Sequence, residues 1–289
     1  MSTYKNKLKF VIVRYDEKNK RYSIMHKIGD ISDKKIAESL AEKFSRNDND
    51  RKYIVWSYKE YEKYVNEVRD KLKKLRAFLT KKFAYKNMED IYIHISPTEI
   101  KDVKNTNEKM RLSNKYFNYN PSGLWFSCGI EWIDLLLSNS ENMVNYNINY
   151  AYQFNLNESK IYNISTKNQF FKLINDYQKK LPEGLGDIMN SNKIRKDYSG
   201  LKICPYRFDV LNPVITETVK GESIRTQKVS KKILSKVLGK DITVEKYNLM
   251  TEWYRHWDVA SGVIWNKNGL DSLKLLAKYD VDIKKWNFE

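Results

Sequence analysis

The sequence predicts an α+β protein: a small N-terminal ββαβ module at 1–57, a long basic connecting helix at 58–87, and a larger domain at 88–289 built on a mixed or antiparallel sheet. Three observations predict it. Two β-branched runs around a turn are followed by one helix-period segment and a third run. A single apolar stripe at helical spacing then extends from Tyr58 to about Lys86. Past Asn87, short strand-like runs outnumber helical ones, which argues against a doubly wound parallel sheet.

The first run, Leu8 to Tyr15, is apolar and β-branched. Asp16 to Lys20 supplies turn chemistry, and Arg21 to Met25 resumes alternation, so the pair reads as a hairpin. Ser32 is the expected N-cap of a helix at 33–45, where Ile36, Ala37, Leu40, Ala41 and Phe44 keep helical spacing. A polar loop at 46–51 leads to a strand at 52–57. A module of about 60 residues is too small to be very stable alone. In the long helix, Tyr61, Tyr64, Val65, Val68, Leu72, Leu75 and Leu79 form one stripe, which reads as a helix packed along one side. Farther on, strand-like runs fall at 90–95, 123–127, 149–156, 160–165, 200–206 and 262–265. Helical patterns fall at 130–138, 168–181 and 227–238. Residues 217–246 read as a charged insertion with Lys228, Lys231, Lys232 and Lys236 facing outward.

Composition narrows the partners. The formal net charge is +17, carried by 42 Lys and 11 Arg, a field that attracts polyanions at high rate. Nucleic acid is the expected partner. An anionic membrane is the other candidate, but no amphipathic anchor and no apolar run long enough to span a bilayer is present, so no membrane is expected. The 39 aromatic residues argue for a folded core despite the charge. Met1 leads into Lys-studded sequence rather than a secretory core, so an intracellular location is expected, cytoplasmic or nuclear, or within a virion. Cys128 and Cys204 lie far apart and read as two buried thiols in a reducing compartment. With only His26, His94 and His256 besides, no metal site is expected. Within the long helix, Arg69, Lys71, Lys73, Lys74, Arg76, Lys81 and Lys82 form a basic ridge suited to a phosphate backbone.

Phosphate loops, dinucleotide glycine fingerprints, zinc-protease signatures and nucleophile elbows are absent. Three stretches are dense in special residues. Ile91 to Pro97 is a strand with one histidine, His94. Asn120 to Trp132 carries a Pro-Ser-Gly turn, an aromatic strand Gly123-Leu124-Trp125-Phe126-Ser127, and a helix start with Glu131. Trp253 to Trp265 holds three tryptophans around Asp258.

In this order the stretches resemble the ADP-ribosyltransferase superfamily, in a form found in large DNA viruses, over roughly residues 88–267. The resemblance implies an NAD-using transferase acting on or near nucleic acid, with no metal. His94 would hydrogen-bond a ribose hydroxyl, and Ser127, on the strand that Gly123 opens, would hold the carboxamide. Trp125 or Trp132 would stack on the nicotinamide. The break of the ribose bond passes through an oxocarbenium-like centre, so a carboxylate is needed near the ribose. The late strand at 200–206 carries Lys202 where such families place Glu. The acid then falls to Asp258, with Glu131 and Glu252 as the other candidates. Read one at a time, His94 and the tryptophans serve equally well as structural residues. Two further readings therefore stand: a non-catalytic basic nucleic-acid-binding protein, and a virion-associated structural protein.

Overall fold

A computed structural model describes residues 10–16, 21–24, 34–47, 51–106, 121–138, 146, 148–180, 187–207, 210, 215–219, 222–226, 251, 254, 257 and 259–289. It is an α+β structure with a three-stranded sheet, an eight-stranded sheet and two hairpins. The expected N-cap Ser32, the helical pattern at 227–238, and Glu252 and Asp258 lie outside the described residues.

The N-terminal strands are β1 (Phe10–Asp16), β2 (Arg21–Ile24) and β3 (Arg51–Ser57), antiparallel in the order β2-β1-β3. Alternation gives this sheet two faces. Ile12 packs with Ala37 and Ala41 of helix α1 (Lys34–Asn47) on one face. On the other, Tyr22 and Trp56 meet Tyr64 with ring centroids 5.5 and 5.2 Å away. Tyr64 belongs to helix α2 (Tyr58–Lys82), so the module's aromatic face is covered by the next element. Helix α2 begins where it does because of a capping box. The Glu60 amide donates to the Ser57 Oγ at 3.3 Å, and the Ser57 amide donates to the Glu60 carboxylate at 2.7 Å.

The larger sheet has eight strands in the order β15-β14-β6-β4-β5-β13-β10-β7. They are β4 (Tyr92–Ser96), β5 (Leu124–Cys128), β6 (Tyr150–Leu156), β7 (Ile161–Ile164), β10 (Gly200–Ile203), β13 (Ser261–Ile264), β14 (Leu270–Asp280) and β15 (Lys285–Phe288). Every pairing is antiparallel except β10 with β7, so the sheet is mixed. One face is covered by helices. Val65, Leu72, Leu75 and Leu79 of α2 and Ile133 and Leu136 of α3 (Glu131–Ser138) pack on Ile93, Ala151 and Ala277. At the other end of that face, Phe170, Phe171 and Ile174 of α4 (Lys167–Tyr177) pack on Leu201, Val263 and Trp257. The opposite face is aromatic, with Tyr92, Phe126, Tyr152 and Phe154, and among the described residues no α-helix joins its apolar cluster. The two hairpins are β8 (Gln178–Lys180) with β9 (Asp187–Met189), and β11 (Ile215–Val219) with β12 (Glu222–Thr226). The second occupies the start of the expected charged insertion. A short helix α5 (Ser191–Asp197) precedes β10.

Two expectations are corrected. Cys128 and Cys204 are not separate thiols: they are paired in a disulfide, with Cα atoms 6.3 Å apart, inside the usual range. They meet because β5 and β10 flank the same strand, β13, a proximity that a separation of 76 residues conceals. The chain beyond Trp265, which carries no expected element, forms β14 and β15. Register shifts at Leu270/Ser272 and Leu275/Ala277 break the alternation that would have marked β14. Among the described residues no helix is long and apolar enough to cross a membrane.

Candidate nucleic-acid interface

Among the described residues expected to hold a dinucleotide, His94 is on a different face of the sheet from Trp125 and Ser127. Register pairs Tyr92 with Cys128 and Ile93 with Ser127, and paired residues point to the same face. Ser127 and Trp125 therefore lie on the helix-covered face, and His94 on the aromatic one. Ring contacts agree: the His94 imidazole stacks on Phe154 at 5.5 Å, whereas Trp125 packs on Trp257 at 4.6 Å. The eight-stranded sheet separates the imidazole from the indole and the hydroxyl.

Each of these groups is also engaged. His94 Nδ1 lies 2.5 Å from the Trp125 carbonyl, which can only accept, so the proton sits on Nδ1. Burial lowers the His94 pKa to about 4, against a smaller opposing effect of that bond, so the ring is neutral at physiological pH. Ser127 is buried and donates to the carbonyls of Gly129 and Ile93 at 2.9 and 3.3 Å. Trp125 Nε1 donates to the Pro121 carbonyl at 3.1 Å. Gly123 backs onto β13 so closely that a Cβ would sit 2.5 Å from the Ile264 carbonyl oxygen. Trp132 is half-buried on α3. Glu131 accepts the Ala260 amide at 2.9 Å, and burial raises its pKa. Lys202, on the strand where the resemblance expects an acid, is itself buried. Its ammonium donates to both Glu158 oxygens at 2.7 and 2.9 Å and to the Tyr92 hydroxyl at 2.7 Å.

The basic ridge of α2 divides into three kinds of residue. Lys71 is turned inward, 3.9 Å from the Tyr279 ring centroid and 2.7 Å from Asn149 Oδ1, and burial lowers its pKa to about 7. Arg76 is bidentate on Asp134 of α3, at 2.5 and 3.3 Å, and Arg69 donates to Asn66 Oδ1 at 2.9 Å. Lys82 donates to the Glu289 carbonyl and lies over the Phe78 ring. Lys73, Lys74 and Lys81 are exposed, with no ion pair among the described residues.

Charge is unevenly distributed along α2. Its first half mixes signs, and two of the acids there are engaged: Glu60 caps the helix and Glu67 pairs with Lys284 at 3.0 Å. From Lys71 to Met88 there are seven basic residues and no acid. Lys73 and Lys81 are about 12 Å apart along the axis at the helical rise. Exposed rings flank this half. Phe288 of β15 stacks on Phe78 at 4.1 Å and 15° while remaining 44% exposed, and Tyr85, just past the helix end, is fully exposed. Sequence reading marks the lysines. Phe288 is missed because β15 carries no isolated strand signal and reaches α2 only through the β14 pairing.

Comparison with known proteins finds no family model, no curated protein and no solved structure that matches this chain.

Proposed function

We propose that this protein binds single-stranded nucleic acid along the C-terminal half of α2 and the adjoining β15, without catalysis. The observation that carries this reading is the acid-free stretch of helix holding Lys73, Lys74 and Lys81, bordered by the exposed rings of Phe288 and Tyr85. Lysines that are not neutralised in the folded protein keep their counterion-releasing charge for phosphates. A ring lying flat on another ring, with its outer side in water, offers a stacking platform to any unpaired base. A duplex hides its base faces and would use only the lysines, so the exposed rings favour a single strand. The side chains of His94 and of Trp125 and Ser127 project from opposite faces of the sheet, which favours this reading over a transferase.

Stacking is tested separately from charge. Phe288→Ala and Tyr85→Ala should each weaken binding of a short labelled oligothymidylate by about 1–3 kcal/mol in fluorescence anisotropy. Their salt dependence should match that of the parent protein. Unchanged affinity in both variants would remove the single-strand preference.

A further inference from the structure

A concave site lies at the end of the sheet where β14 begins, and no residue of α2 lines it. Its volume is about 810 Å³, within the range of small-ligand sites. Three lysines line it: Lys101, Lys160 and Lys267, all exposed and without an ion pair among the described residues. Asn157, Asn268, Asp102, Asp271, Leu270 and Leu273 also line it.

The frame of this hollow is fixed by hydrogen bonds from backbone amides of its lining and neighbouring segments. The Asn157 amide donates to the Gly269 carbonyl at 3.1 Å, and the Ser199 amide to the Lys160 carbonyl at 2.7 Å. The Lys267 amide donates to Asn105 Oδ1 at 2.9 Å, and the Ile100 amide to the Tyr152 hydroxyl at 2.9 Å. Gly269 is packed so tightly that a Cβ would come within 3.0 Å of Ile161 and Ser199. Such anchoring holds the lining in place before anything binds, which lowers the ordering cost of binding.

We infer that this hollow binds a nucleoside phosphate, its lysines taking the phosphate and its carboxylates and amides taking sugar hydroxyls and base-edge groups. The inference follows from the mixture of groups. A bare anion would use the lysines and be opposed by Asp102 and Asp271, whereas a ligand with an anionic end and a hydroxyl-bearing, flat remainder satisfies all of them. The site shares no residue with the α2 surface and stands independently of the function proposed there.

The test is calorimetric titration of the full chain with nucleoside 5′-monophosphates, the matching unphosphorylated nucleosides and inorganic phosphate. At least one monophosphate should bind ten times or more tightly than both its nucleoside and phosphate alone. Lys160→Ala/Lys267→Ala should reduce that affinity at least tenfold while leaving oligothymidylate binding intact, and Lys73→Ala/Lys74→Ala should do the reverse. A short 5′-phosphorylated oligonucleotide that displaces the monophosphate would identify a strand end as the source, and failure to displace it would identify the free nucleotide. Either result keeps the inference. No heat from any monophosphate at millimolar concentration would overturn it. So would phosphate binding as tightly as the nucleotides, or binding undisturbed by the Lys160/Lys267 change.

Discussion

Burial of the His94 imidazole against Phe154 has a consequence for acid stability. Its folded pKa of about 4 lies below the unfolded value of 6.5, so between those limits the unfolded chain binds the proton and the folded one does not. Stability is therefore full above pH 6.5 and falls as pH drops toward 4, by about 3 kcal/mol from this group. A His94→Phe variant, which keeps the stack and cannot titrate, should lose less stability in urea melts between pH 6.5 and 4 than the parent. An equal loss in both would show that the imidazole is not buried as described. Lys71 has the same sign in a higher pH window. Its folded pKa of about 7 lies below the ordinary 10.5, so the cost of holding a buried charge is greatest at and below neutral pH and vanishes above the unfolded value. The Tyr279 ring face offsets part of that cost. Lys71→Met should raise the melting temperature at pH 7 and raise it less at pH 10. A drop at pH 7 would assign the ammonium a stabilising role instead. With His94 and Trp125 on opposite faces, any melting-temperature shift that millimolar NAD produces should survive His94→Ala. A shift abolished by His94→Ala would restore the transferase reading.

At the scale of elements, α2 carries most of the account. Its stripe from Val65 to Leu79 was legible because every buried position recurs at helical spacing, and the same periodicity left Lys73, Lys74 and Lys81 outside. The expected start at Tyr58 matches the structure, and the capping box of Ser57 and Glu60 that sets it was not read from the sequence. Ser57→Ala should cost about 1 kcal/mol in thermal or urea unfolding, while Glu62→Ala, outside the box, should cost little. Equal effects would mean that the box does not set the helix start. The strands of the larger sheet were legible as short runs, and their order was not. Pairing of β4 with β5 and β6 depends on partners far along the chain, and local pattern does not record them. That gap decided the candidate site. Alternation within β5 separates Trp125 and Ser127 from Phe126, but which of these faces His94 depends on a register that only the folded sheet supplies. The aromatic strand was thus legible as an element, while the face on which each of its residues lies was not. β14 escaped notice for a simpler reason, since its bulges hide its period.

At the scale of the whole molecule, a net charge of +17 draws any polyanion, so affinity alone cannot separate a specific surface from the general field. Salt dependence can. Each phosphate neutralised on a single strand contributes about −0.7 to the slope of log affinity against log salt. The measurement that tests the central claim most directly is that slope for oligothymidylate, compared between the parent chain and Lys73→Ala/Lys74→Ala/Lys81→Ala. The account predicts a steep slope for the parent and one shallower by about 2 in the triple variant, with affinity reduced accordingly. Parallel lines of equal height would contradict it, because they would mean that the acid-free half of α2 touches no phosphate.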